Sequence, residues 1–184
     1  MKYYVDLKRY LNFRISYPKE TPKDEIEDYA ANNYLLQEDF KKGGIIGNST
    51  AEIYYKKAGN FDCIECGGLV INIPDILCSG ITIAGSCAWG AFREKFKIIF
   101  SDGSYAFADV AFWEIASTPE EFIKYLFEAE AKDLQYSVLK EYGQGNERAY
   151  IYYNTTVFPE TKKIRRIIFP DNICMFIFGI TLEN

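Results

Sequence analysis

Two spacings of apolar residues run along this chain, and each predicts a different element. Ile26, Tyr29, Asn33, Leu36 and Phe40 recur every three or four positions opposite Glu27, Asp28, Glu38 and Asp39, the stripe of an amphipathic helix. Thr21-Pro22-Lys23-Asp24-Glu25 supplies its start, because Thr caps, Pro is tolerated at the first helical position and the carboxylates suit the positive end of the dipole. Gly43-Gly44 ends it. A second stripe, Ile123, Phe127, Ala131, Leu134, Val138 and Tyr142, follows the capping-box sequence Thr118-Pro119-Glu120-Glu121 and stops at Gly143.

Elsewhere the segments are short and rich in β-branched and aromatic residues, with Gly, Pro, Asn or Asp between them. Strands are predicted around 51–56, 69–73, 80–84, 95–100, 105–113, 150–158, 164–169 and 174–181. Asp102-Gly103 between two such runs predicts a tight hairpin, whose central residues favour positive φ. The order of elements points to an α+β fold, a mostly antiparallel twisted sheet with two amphipathic helices packed on it. With 184 residues and no repeat or linker, a single domain over 1–184 is expected.

Composition then narrows the chemistry. The chain has no histidine, so the commonest general base and metal ligand is missing, and with it His-activated serine or cysteine nucleophiles and imidazole-held zinc. Five cysteines, an odd number in a chain large enough to fold without staples, predict reduced and mostly buried thiols in the cytoplasm. Charges interrupt every apolar run before it reaches membrane-spanning length, and the first nine residues lack the apolar segment of a leader. The formal charge of −5 is unevenly spread: Glu114 to Glu141 carries seven acids against three bases.

Individual motifs are weak. Gly85-Ser86-Cys87-Ala88-Trp89 superficially resembles the nucleophile segment of papain-like proteases, yet Ala88 displaces the tryptophan and no histidine exists to make the thiolate. Cys63-Ile64-Glu65-Cys66 has a chelating spacing, but Cys78 and Cys87 form no second pair. Gly43-Gly44-Ile45-Ile46-Gly47 lacks the Lys-Ser/Thr of a phosphate loop. Lys162-Lys163-Ile164-Arg165-Arg166 is the one linear basic cluster and reads as protection of a strand edge. Tyr54-Tyr55 and Tyr150-Ile151-Tyr152-Tyr153 are tyrosine-rich, without a basic groove beside them in the sequence.

These features favour a non-enzymatic binding protein that recognises and inhibits a macromolecular partner. In size, acidity and lack of motifs the chain is similar to toxin-neutralising immunity proteins, a likeness of composition alone. The expected partner is a protein with a basic surface, with neither nucleic acid nor membrane involved and no cofactor required. Glu120, Glu121, Glu128 and Asp133 would supply the charge, and Tyr150 and Tyr152 the aromatic anchors. Two alternatives stay open. One is a small-molecule- or zinc-binding module centred on residues 63–90. The other is a carboxylate-dependent hydrolase built on acids such as Asp62, Glu65 and Asp75.

Overall fold

The computed structural model describes residues 1–17, 21–25, 35–36, 44–47, 51–115, 135–142 and 147–184. Among them twelve strands follow in order. The short ones are β1 (Lys2–Tyr4), β2 (Ser16–Tyr17), β3 (Leu35–Leu36), β4 (Gly44–Gly47), β5 (Glu52–Tyr55) and β6 (Ile64–Gly67). The long ones are β7 (Val70–Cys87), β8 (Ala91–Phe100), β9 (Tyr105–Trp113), β10 (Gln135–Tyr142), β11 (Glu147–Ile168) and β12 (Asp171–Glu183).

The expected α+β architecture with two packed helices is overturned, while the mostly antiparallel sheet is found. No α-helix occurs among the described residues; the helical pieces are single 3₁₀ turns at Lys8–Tyr10 and Lys23–Glu25. Thr21-Pro22 does begin such a turn, with the Glu25 N–H donating to Pro22 O at 3.0 Å, but Leu35–Leu36 is already strand. Gln135–Tyr142, assigned above to the second helix, pairs antiparallel with β11 from Gln135↔Tyr153 to Leu139↔Ala149. Tyr136, Val138 and Tyr142 fit a two-residue repeat as well as a helical one, and a waiting partner strand decides between them. The other residues of both expected helices, 26–34, 37–43 and 116–134, lie outside the described ones.

The main sheet runs β1-β12-β7-β11-β10-β3-β2. Two long strands organise it. β7 pairs along one side with β11, from Tyr152↔Gly85 down to Ile168↔Val70, and on the other with β12 over residues 80–87. The lower part of β11 also pairs with β8, which forms a hairpin with β9 through the Asp102-Gly103 turn. The ribbon β7-β11-β8-β9 curls until Glu114, just past β9, bridges to Cys87 at the end of β7. Asn154 of β11 completes the closure. Its amide donates to Ala111 O and accepts from Ala111 N–H, both at 3.0 Å, occupying part of the β9 edge that a foreign strand would otherwise find.

Burial follows from this arrangement. In the first half of β7, Ile71 and Ile73 are buried while Val70, Asn72 and Pro74 are exposed, so one face is wet; from Ile81 to Cys87 every residue is buried, so both faces are covered. Inside the roll pack Ile71, Ile98, Phe96, Val110, Phe112 and Ile164; on the opposite face of the β11-β7-β12 region a second core gathers Phe13, Ile15, Ile53, Phe176 and Phe178. The residues of β7 facing that second core are small, Thr82, Ala84 and Ser86, with Ala88 just past its end, which lets β5 and the N-terminal segment lie close. In β12 a bulge between Ile177 and Gly179 keeps Met175 and Ile177, then Ile180 and Leu182, on the same core despite the change of parity.

Candidate functional site

The wet face of the β7-β11-β8-β9 ribbon is the candidate site. Residues paired across neighbouring strands point to the same side of a sheet, so the ladders define rows of side chains. One row crosses all four strands as Tyr105, Ile99, Arg166 and Asn72; the next reads Phe107, Lys97, Ile168 and Val70. Further along the hairpin come the pairs Asp109–Lys95 and Ala111–Arg93. The alternation of β8 and β9 produces this face. Phe96, Ile98, Phe100, Ala108, Val110 and Phe112 turn into the roll, which forces Arg93, Lys95, Lys97, Tyr105 and Phe107 outward.

Its chemistry is mixed. Tyr105 is 59% exposed, Phe107 48% and Val70 42%. The two rings meet edge to face at 5.5 Å between centroids. Lys97 Nζ stands 4.4 Å from the Tyr105 ring centre and Lys95 Nζ 5.7 Å from that of Phe107, cation–π contacts that hold the rings in place. On these rows Arg93, Lys95, Lys97 and Arg166 oppose one carboxylate, Asp109, which lies 4.0 Å from Arg93. The chain is acidic overall and this face is basic. Lys162, beyond its lower end, is engaged by Asp102 at 3.1 Å and Glu160 at 4.0 Å. Beside lower β7, on the edge away from β11 where Asn72 N–H donates to the Tyr10 hydroxyl oxygen at 3.1 Å, opens a cleft of about 660 Å³, with Lys8, Arg9, Asn72 and Pro74 in its lining. Asn72 thus belongs to both the exposed row and the cleft.

The residues singled out from sequence fall elsewhere. Glu120, Glu121, Glu128 and Asp133 lie outside the described residues. Tyr150 and Tyr152 are 6% and 0% exposed, their rings packed inside the roll, so burial leaves them no surface to offer as anchors. Cys63 and Cys66 belong to different cores, because residues three apart on an extended strand face opposite ways; they therefore do not form a shared chelate. Cys87 is buried, with Sγ donating to Gly90 O at 3.0 Å and Phe112 O at 3.4 Å, and burial pushes its thiol well above the ordinary range, the reverse of an activated nucleophile. Among the described residues no group of three or more Cys, Asp or Glu is placed to hold a metal ion.

Asp62, Glu65 and Asp75 are held by different partners. Asp62 is fully buried and accepts from the N–H groups of Ile15 and Ser16 at 2.9 and 3.0 Å and from Ser16 Oγ at 2.5 Å. Glu65 sits on β6, its N–H donating to Asn12 Oδ1 at 2.8 Å, and Asp75 accepts the Ser101 hydroxyl. The described lining of the cleft contains a different carboxylate, Asp6, held below its usual range by the Lys8 N–H and by Lys56. No protein-family description matches the chain, and no curated protein matches it. No helix among the described residues is long and apolar enough to cross a membrane.

Proposed function

We propose that this chain is a non-enzymatic binding protein that recognises a macromolecular partner through the outer face of β7, β11, β8 and β9. One observation carries the reading: four cations, Arg93, Lys95, Lys97 and Arg166, share one sheet face with two exposed aromatic rings in adjacent cross-strand rows, on a chain whose net charge is −5. Water-facing sheet surfaces are ordinarily polar, whereas clustered exposed rings with arginine are the composition of contact surfaces. The partner is anionic at its contact, since complementary charge speeds encounter and excludes mismatched surfaces. An inhibitor acting by occlusion would employ the face in the same way. Catalysis gains no support from the buried thiols or from the separately held acids. The five free cysteines suit a reducing compartment, and we take the cytoplasm as the setting.

Affinity capture from the native host tests the reading, with the wild-type chain compared against Lys95→Glu/Lys97→Glu. A protein or nucleic acid retained by the wild type and lost on charge reversal is the expected result; equal retention of every bound macromolecule would remove this face from the function.

A further inference from the structure

We infer that the occupant of this face is a single-stranded nucleic acid, an inference that rests on the binding role proposed above. Along β8 the outward residues Arg93, Lys95 and Lys97 are two apart, hence about 6.6–6.8 Å from one to the next, a repeat close to that of phosphates along an extended polynucleotide. Beside them on β9, Tyr105 and Phe107 expose their rings in the two rows that also contain Ile99, Lys97 and Arg166. That combination of a cationic track and stacking platforms is what an unpaired strand requires, because its backbone is anionic and its bases offer free π-faces. A duplex keeps its bases stacked inside and would leave both rings without a counterpart. An acidic protein surface could also cover the rings, but it sets no regular spacing for its charges, whereas an unpaired strand repeats one phosphate and one base per step, matching Arg93, Lys95 and Lys97 with two rings beside them.

The lysines also suggest how the face behaves when empty. Lys97 lies over Tyr105 and Lys95 over Phe107, so each ammonium covers the ring that a base would occupy. On binding, the ammonium moves the short distance to a phosphate and the base takes its place on the ring. Row geometry extends the track across the strands, through Arg166 and Asn72 to the cleft that Lys8 and Arg9 line.

Fluorescence anisotropy with fluorescein-labelled 12-nucleotide oligo-dT and oligo-U, a 12-base-pair duplex, and unlabelled polyglutamate as competitor tests the inference. The single strands are expected to bind at least tenfold more tightly than the duplex, with log affinity falling against log salt at a slope of about −2 to −3, as three or four phosphate contacts require. Lys95→Glu/Lys97→Glu should weaken binding and flatten that slope. Tyr105→Ala and Phe107→Ala should each weaken it about tenfold or more with the slope kept, because stacking is lost and charge is not. All these positions are on the surface, and unchanged thermal unfolding of the variants verifies that the fold survives. Duplex bound as tightly as single strand, no binding of either single strand, or displacement by polyglutamate as effective as by oligo-U at equal charge would overturn the nucleic-acid assignment. Host capture that still depends on Lys95 and Lys97 would in that case leave the binding face standing with another occupant.

Discussion

Asp62 fastens the N-terminal segment to the second core with a carboxylate removed from water. Its oxygens take the N–H groups of Ile15 and Ser16 and the Ser16 hydroxyl, while Lys57 Nζ lies 3.8 Å from Oδ2 and 2.7 Å from Ser16 Oγ. Burial pushes the carboxyl pKa above its ordinary 3.8, although those donors and Lys57 pull the other way. Such a group holds its proton more tightly in the fold than in the unfolded chain. Its share of stability is therefore full below about pH 3.8 and is lost as the pH rises through the folded value. Asp62→Asn turns one acceptor into a donor that faces a backbone N–H, and should cost about 2 kcal/mol, the usual penalty for stranding a buried polar group. Urea unfolding of both proteins checks this. The wild-type advantage should narrow from about pH 4 to about pH 7, whereas an advantage that grows over that window would show a depressed carboxyl.

At the scale of elements, the second core depends on how closely β5 approaches β12. A Cβ built on Gly179 would stand 2.6 Å from both Cβ and Cδ1 of Ile53, closer than side chains tolerate, so the glycine admits the neighbouring strand by having no side chain. Gly179→Ala should force β5 off the sheet and cost about 1–3 kcal/mol, the range for overpacking a filled core. Hydrogen exchange would report it as faster exchange at Ile53 and Tyr55 than in β8 and β9; equal protection in both regions would mean that the strand accommodates the methyl. Much of the sheet could be read in advance. The 105–113 strand, the hairpin at Asp102-Gly103 and the run ending near Ile168 follow from alternation and turn residues, although of the two turn residues only Gly103 takes the positive φ expected of both. The breaks expected between 73 and 80 and between 158 and 164 do not occur: β7 and β11 run on through Pro74 and Pro159, with a ladder irregularity between Val157 and Lys162 and positive φ at Asp75. The candidate face was only half readable: alternation along the predicted 95–100 and 105–113 strands puts Lys95, Lys97, Tyr105 and Phe107 on one side, but nothing in the sequence adds Arg166 and Asn72 to it. Lys97 and Arg166 are neighbours only through a register between strands far apart in sequence, and the linear search for basic clusters settled instead on residues 162–166.

For the molecule as a whole, the decisive feature is that both cores share walls. Residues 81–87 of β7 and 175–182 of β12 are buried on both faces, so opening either core strips cover from strands that also enclose the other. The two halves should therefore unfold together. The cysteines allow this to be observed, because Cys66, Cys78 and Cys87 lie in the first core and Cys63 in the second, all buried, while Cys174 is half-buried. Burial raises each thiol, Cys78 to about 11, and so suppresses the thiolate that reacts. With an aromatic disulfide reagent near pH 8, Cys174 should react first and alone. The other four should follow in one phase whose rate rises with denaturant as global unfolding does, and the Asp62→Asn variant should accelerate all four alike. Early release of Cys63 by itself would show instead that the N-terminal segment and β5 detach as a unit, leaving the roll and its basic face intact.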